Sequence, residues 1–282
     1  MKAAVSVLKM TDATSGNFEC TIHARAISER ALLAVAALLF AASAAVTIVW
    51  CNSMSAMGGM AMAGGWTMSM AWMRMPGQSW AGAASSFVGM WVVMMAAMML
   101  PSLVPMLSRY RRAIGGAENL GRLTALVGAG YFSVWTTWGI AAFPLGVALA
   151  ALEMRQPALS SAVPIAVGVV VVIAGAFQFT AWKARQLDCC RDAPGPGALS
   201  PGAAAAWRHG LRLGLRCSQC CAGLMAILLV IGVMDLRAMA VVAGAITVER
   251  LAPAGERVAR AIGAVIIGTG LFLIARAAGN PP

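Results

Sequence analysis

Seven stretches of this sequence are apolar over a length that a water-soluble core cannot absorb, and they dictate the fold class. They run over about 31–50, 87–107, 124–152, 158–182, 217–234, 236–250 and 258–275. A helix rises 1.5 Å per residue, so about 20 apolar residues cross a hydrocarbon core of about 30 Å. The runs are continuously apolar, whereas barrel strands alternate over about ten residues. A mean hydropathy of +0.79, with 60% hydrophobic and 11% charged residues, points the same way. The expectation is all-α: a multi-pass transmembrane helical bundle of about seven spans in the cell (cytoplasmic) membrane, with the lipid bilayer as its first partner. The run at 236–250 is the shortest. Only a tight turn at Met234–Asp235–Leu236–Arg237 separates it from its predecessor, and whether it fully crosses stays open.

The net charge of +11 is explained by topology rather than by nucleic acid. Seventeen of the 21 basic residues precede span one or fall between spans two and three, four and five, or six and seven. Only Arg74, Arg155, Arg237 and Arg276 fall on the other side. Basic residues concentrate in cytoplasmic loops, so the N-terminus is placed inside and the C-terminus outside. Residues 1–30 then form a cytoplasmic segment, and 31–50 a retained anchor rather than a cleaved signal. An outer loop follows over 51–86. Residues 87–276 make a six-span domain carrying an inner loop at 183–216, and 277–282 a tail. Glycine and proline set the character of both loops. The outer loop is expected to move freely unless a ligand orders it, and residues 203–216 to lie as a basic amphipathic helix on the membrane surface.

Sulfur is sorted between the two faces. Five of the seven cysteines are Cys189, Cys190, Cys217, Cys220 and Cys221, all inner. The CSQCC run puts three thiols at i, i+3 and i+4, within about 100° of one helix face. With Cys190 from a neighbouring span end they could close a tetrahedral site. Such thiolate sets suit Cu(I) or Zn(II). Arg212 and Arg216 stand nearby in sequence and would favour thiolates. Small cysteines packed at a helix interface are the plainer alternative.

Fourteen of the 20 methionines fall between Met54 and Met106. In the outer loop Met54, Met57, Met60 and Met62 give MxxM and MxM spacings, and Met68, Met70, Met73 and Met75 repeat them. Thioethers are soft ligands that need no deprotonation. A permissive loop, a lipid tether or a sink for oxidants would look similar. In span two Met90, Met94 and Met98 share one helical stripe, with Met95 and Met99 on the next. Such a stripe is commonly packing, but here it continues inward from a methionine-rich loop and could line an ion path.

No Asp, Lys or Arg is expected mid-span, and Glu153, Asp235 and Glu249 lie at span ends. No Walker, HExxH or Ser/His/Asp pattern is present, which argues against an ATP-driven pump or hydrolase. The leading expectation is handling of a soft metal ion, copper before zinc, by outer methionines and inner cysteines, with a metallochaperone or metalloenzyme as protein partner and a homo-oligomer possible. A membrane scaffold holding structural zinc and a membrane thiol oxidoreductase are the alternatives.

Three segments resemble an uncharacterised bacterial family of predicted metal-binding integral membrane proteins. Trp91 through Met98–Met99–Leu100–Pro101 resembles its AMM-x-P signature. Gln178–Phe179–Thr180, with Lys183, Leu187, Cys190 and Arg191, resembles a second. Gly210, Gly214, Cys217, Cys220, Cys221, Leu224, Met225, Gly232, Met234 and Met239 follow its C-x-x-CC pattern. The likeness covers roughly 85–275 and implies a fold and a candidate site. Gln186 stands where that family carries its first inner cysteine, Phe177 replaces a Tyr, and Ala222 replaces a Trp.

Overall fold

The computed structural model describes residues 2–56, 58–115, 119–191 and 200–279, without the side chains of 2–25, 190 and 191. Met57 and the side chain of Cys190, both expected ligands, therefore lie outside the described residues. Eight helices account for nearly all of it: α1 Lys2–Ala56, α2 Trp80–Ile114, α3 Leu120–Arg155, α4 Pro157–Phe177, α5 Ala181–Arg191, α6 Ala203–Ile231, α7 Leu236–Leu251 and α8 Gly255–Gly279. The fold is all-α, as the apolar runs require.

Among the described residues, six helices are long and apolar enough to cross a membrane: residues Ala26–Ala56 of α1, then α2, α3, α4, α6 and α8. They are compatible with a multi-pass membrane protein. The sixth expected span, 236–250, is α7, which has 16 residues and a length of about 24 Å, short of a full hydrocarbon core. Large apolar side chains such as Leu38, Val241 and Val265 point out of the bundle, as they would toward lipid.

Glycines set the closest helix contacts, as is common where lipid gives no hydrophobic drive to pack. At the α3–α6 crossing a Cβ added to Gly130 would lie 2.6 Å from the Trp207 carbonyl, and one on Gly214 2.8 Å from that of Tyr131. This contact corrects the expectation for 203–216. Gly210 and Gly214 draw that stretch against α3, and one continuous helix runs from Ala203 to Ile231. The cysteines consequently sit midway along α6 rather than at its start.

Two connections place the site. Span four was expected to run to 182, but α4 ends at Phe177 in a tight turn, with Phe179 N donating to the Ala176 carbonyl and Thr180 N to that of Phe177, both at 3.1 Å. The chain restarts as α5 and turns Lys183 back into the bundle. Between α6 and α7, Gly232 takes a φ of 143°, open to glycine and strained for other residues. Asp235 caps α7, its carboxylate accepting from Arg237 N at 2.8 Å and Ala238 N at 2.9 Å.

The methionine-rich loop is also more structured than expected. Met60–Ala61 and Thr67–Met68 pair as a small antiparallel hairpin, followed by a 3-10 turn at Met70–Trp72. Trp66 Nε1 donates to the Ser160 carbonyl at 2.9 Å, and Ser160 Oγ donates to the Ala63 carbonyl at 3.0 Å. Trp72 packs on Phe87, ring centroids 5.1 Å apart. Contacts with α2 and α4 supply the order that local sequence does not.

Candidate metal centre

The middle of α6 presents Cys217, Cys220 and Cys221 to the bundle interior, all at most 1% exposed. Cys217 and Cys221, one turn apart, have their sulfurs 3.9 Å from each other. From the facing α2, Met99 brings its Sδ to 4.0 Å from Cys217 Sγ. A metal–thiolate bond of about 2.3 Å puts two sulfurs of a trigonal site about 4 Å apart, so these separations fit a soft ion. Among the described residues no group of three or more Cys, His, Asp or Glu is disposed to hold a metal. The set that stands ready is two thiols and a thioether.

On α2, Met90, Met94, Met95, Met98 and Met99 are all buried. Of these, the thioether that reaches the thiols is Met99, on the second stripe, rather than the expected Met94 or Met98. The other expected ligands among the described residues lie on α1, on α5 and in the hairpin. Cys189 is half-buried on α5, its carbonyl accepting from Arg216 Nη1 at 3.5 Å. At the hairpin end Met54 and Met62 are half-buried and Met60 is exposed, while Met68, opposite Met60, is buried.

The groups around the thiols are those that sequence patterns do not mark as site residues. Arg250, expected as a loop charge, is 6% exposed at the end of α7. Its Nη1 donates to Cys217 Sγ and to Ser102 Oγ, both at 3.0 Å, and its Nη2 to Met106 Sδ at 3.3 Å. The Tyr131 hydroxyl on α3 donates to the same Cys217 sulfur at 2.9 Å. Arg250 is the cation that contacts the Cys217 sulfur. It offsets the negative charge that Cys217 would carry as a thiolate.

Below this lies a second buried group. Lys183 Nζ donates to Glu249 Oε2 at 2.8 Å and to the Cys220 carbonyl at 2.7 Å, and Gln178 Nε2 donates to Glu249 Oε1 at 3.0 Å. Lys183 and Glu249 are both 1% exposed; Glu249 lies at a helix end as expected, whereas Lys183, expected as an inner-loop charge, is turned into the bundle. Burial alone would lower the Lys183 pKa; the charges of Cys220 and Glu249 and the Glu249 hydrogen bond outweigh it, and the value stands above the ordinary one. The signal available in sequence was the adjacent Glu249–Arg250 pair closing a helix too short to end in open solvent.

Fold and site together define an apolar multi-helix protein enclosing a sulfur cluster with a buried arginine against it. The chain belongs to the PpoB2 copper chaperone family, whose model matches residues 88–273. No curated protein and no solved structure matches it. The matched segment contains every residue of the cluster and leaves out α1 and the hairpin. A copper-related family is thus shown where the three sequence segments had suggested a metal-binding one.

Proposed function

We propose that this chain is a multi-pass protein of the cytoplasmic membrane that carries Cu(I) as cargo on Cys217 and Cys221, with Met99 as third sulfur, and passes it to a protein acceptor. The observation that carries the reading is that Cys217 Sγ has two further sulfurs at 3.9 and 4.0 Å, inside a chain of a copper chaperone family. Thiolate and thioether donors suit Cu(I) among biological ions. The basic residues Arg208, Arg212 and Arg216 precede the cysteines on the first half of α6 and Arg185 lies on α5, the side that the positive-inside rule assigns to the cytoplasm.

The outer methionines would collect the ion and the buried stripe of α2 would line its way inward. Met90 to Met99 spans about 14 Å along the helix axis. Thiolates hold Cu(I) more strongly than thioethers, so the sulfur gradient favours movement from hairpin to cysteines.

The test is metal stoichiometry on detergent-purified protein, wild type beside Cys217→Ser/Cys221→Ser. Copper held by wild type and lost in the double variant is the expected result. Zinc held and lost in its place would overturn the copper assignment in favour of a structural zinc site. Retention of full copper by the double variant would remove the site from these sulfurs.

A further inference from the structure

The chain's family and its sulfur donors suit copper, but two thiols and a thioether do not by themselves reject a divalent ion such as Zn(II), which thiolates also bind well. What distinguishes this cluster is the guanidinium held against it. Arg250 reaches Cys217 Sγ at 3.0 Å and Met106 Sδ at 3.3 Å, and is pinned to Ser102 Oγ at 3.0 Å. The same Ser102 hydroxyl donates to the Met99 carbonyl at 3.0 Å, so the serine ties the arginine to the helical turn that presents the thioether. Arginine stays protonated under all conditions a protein meets.

We infer that Arg250 is the specificity-determining residue of this site and selects a monovalent over a divalent cargo. The inference rests on the copper-site reading above and deepens it. Whatever the number of thiolates, a divalent ion in the same ligand set brings one more positive charge than a monovalent ion. That extra charge is repelled by a guanidinium one hydrogen bond away from the ligand sulfur, in an enclosed region where screening by water is weak. A bis-thiolate complex of a monovalent ion carries one negative charge, which Arg250 offsets. The divalent complex with the same ligands is neutral, and leaves the guanidinium without that counter-charge. Two of the Arg250 contacts are with sulfurs themselves, Cys217 Sγ and Met106 Sδ.

The experiment measures Cu(I) and Zn(II) affinities by competition with chromogenic chelators on the full chain in detergent. It compares wild type with Arg250→Lys, which keeps the charge, and with Arg250→Gln, which removes it. Arg250→Leu, which strands no polar head in the core, serves if the glutamine variant does not fold. Loss of the charge is expected to move the Zn(II)-to-Cu(I) affinity ratio at least tenfold toward zinc, and Arg250→Lys to stay within about threefold of wild type. A merely structural arginine would weaken both metals together and leave the ratio unmoved. An unchanged ratio in the neutral variants, with copper still bound by wild type, overturns this inference and leaves the copper site standing. A wild-type chain that takes up no Cu(I) overturns both.

Discussion

Lys183 Nζ and Glu249 Oε2 lie 2.8 Å apart with both side chains at most 2% exposed, which joins the head of α5 to the last turn of α7. A buried pair broken from one side leaves a charge without compensation, at a cost of about 3–5 kcal/mol. Lys183→Met and Glu249→Gln should each lower the melting temperature in detergent markedly. The double variant Lys183→Met/Glu249→Met should recover most of the loss, because both charges leave together. The Lys183 pKa is raised, so the lysine's contribution is complete below the ordinary lysine value of about 10.4 and is lost as pH rises through the folded value. Burial raises the Glu249 pKa as well, so the melting difference between wild type and Lys183→Met should shrink above about pH 10 and again on the acid side as Glu249 takes up its proton.

Gly130 and Gly128 stand two residues apart on α3 and should respond oppositely to the same methyl group. A Cβ on Gly130 meets the Trp207 carbonyl at 2.6 Å, whereas one on Gly128 has nothing within 4 Å. Gly130→Ala should prise α3 from α6 and cost about 1–3 kcal/mol, as overpacking does. Gly128→Ala should be neutral or stabilising, since alanine is the better helix former. Thermal unfolding of the two variants in one detergent decides it. Equal behaviour would mean that the α3–α6 crossing is looser than its glycines indicate.

Long apolar runs and i, i+3, i+4 cysteine spacing depend on helix geometry alone, so the fold class and the inward face of α6 are legible in the sequence itself. Arg250 and Lys183 are not. A basic residue next to an apolar run reads by default as a loop charge. Only the shortness of α7 and the break at 178–180 turn these two inward. The hairpin is hidden for a related reason: its strands are two residues each, too short for any periodicity, and its order comes from Ser160, 94 residues away from Trp66. Gln178 and Lys183 are visible as parts of one motif. Their common partner Glu249, which gives their spacing a reason, lies on another helix.

The hairpin's attachment predicts a separation between capture and storage. Ser160→Ala removes the donor to the Ala63 carbonyl, and Trp66→Phe removes the indole bond to the Ser160 carbonyl. Together they should free residues 58–75, seen as faster cleavage there in limited proteolysis with little change in melting temperature. Copper loading from dilute Cu(I) should slow in the same variant while final stoichiometry at the cysteines is kept. Loss of stoichiometry would make the hairpin part of the storage site.

Met98 and Met99 are adjacent, similarly buried and equally plausible as ligands by residue type, which makes them the sharpest test of the geometry. Successive helix residues point about 100° apart, so at most one of them can face Cys217 squarely, and Met99 Sδ is the atom at 4.0 Å. Leucine conserves methionine's volume and usually costs less than about 1.5 kcal/mol in a core, so each replacement removes a sulfur with little change in packing. Met99→Leu should weaken Cu(I) binding by about tenfold, the order expected when a soft donor is lost from a three-sulfur set and the ion keeps two thiolates. Met98→Leu should leave the equilibrium affinity as it is and, if the stripe lines the route, slow loading alone. Chelator competition separates the two quantities. An affinity loss in Met98→Leu with none in Met99→Leu would move the third sulfur to the stripe that the spacing first indicated, and with it the orientation of α2 against α6.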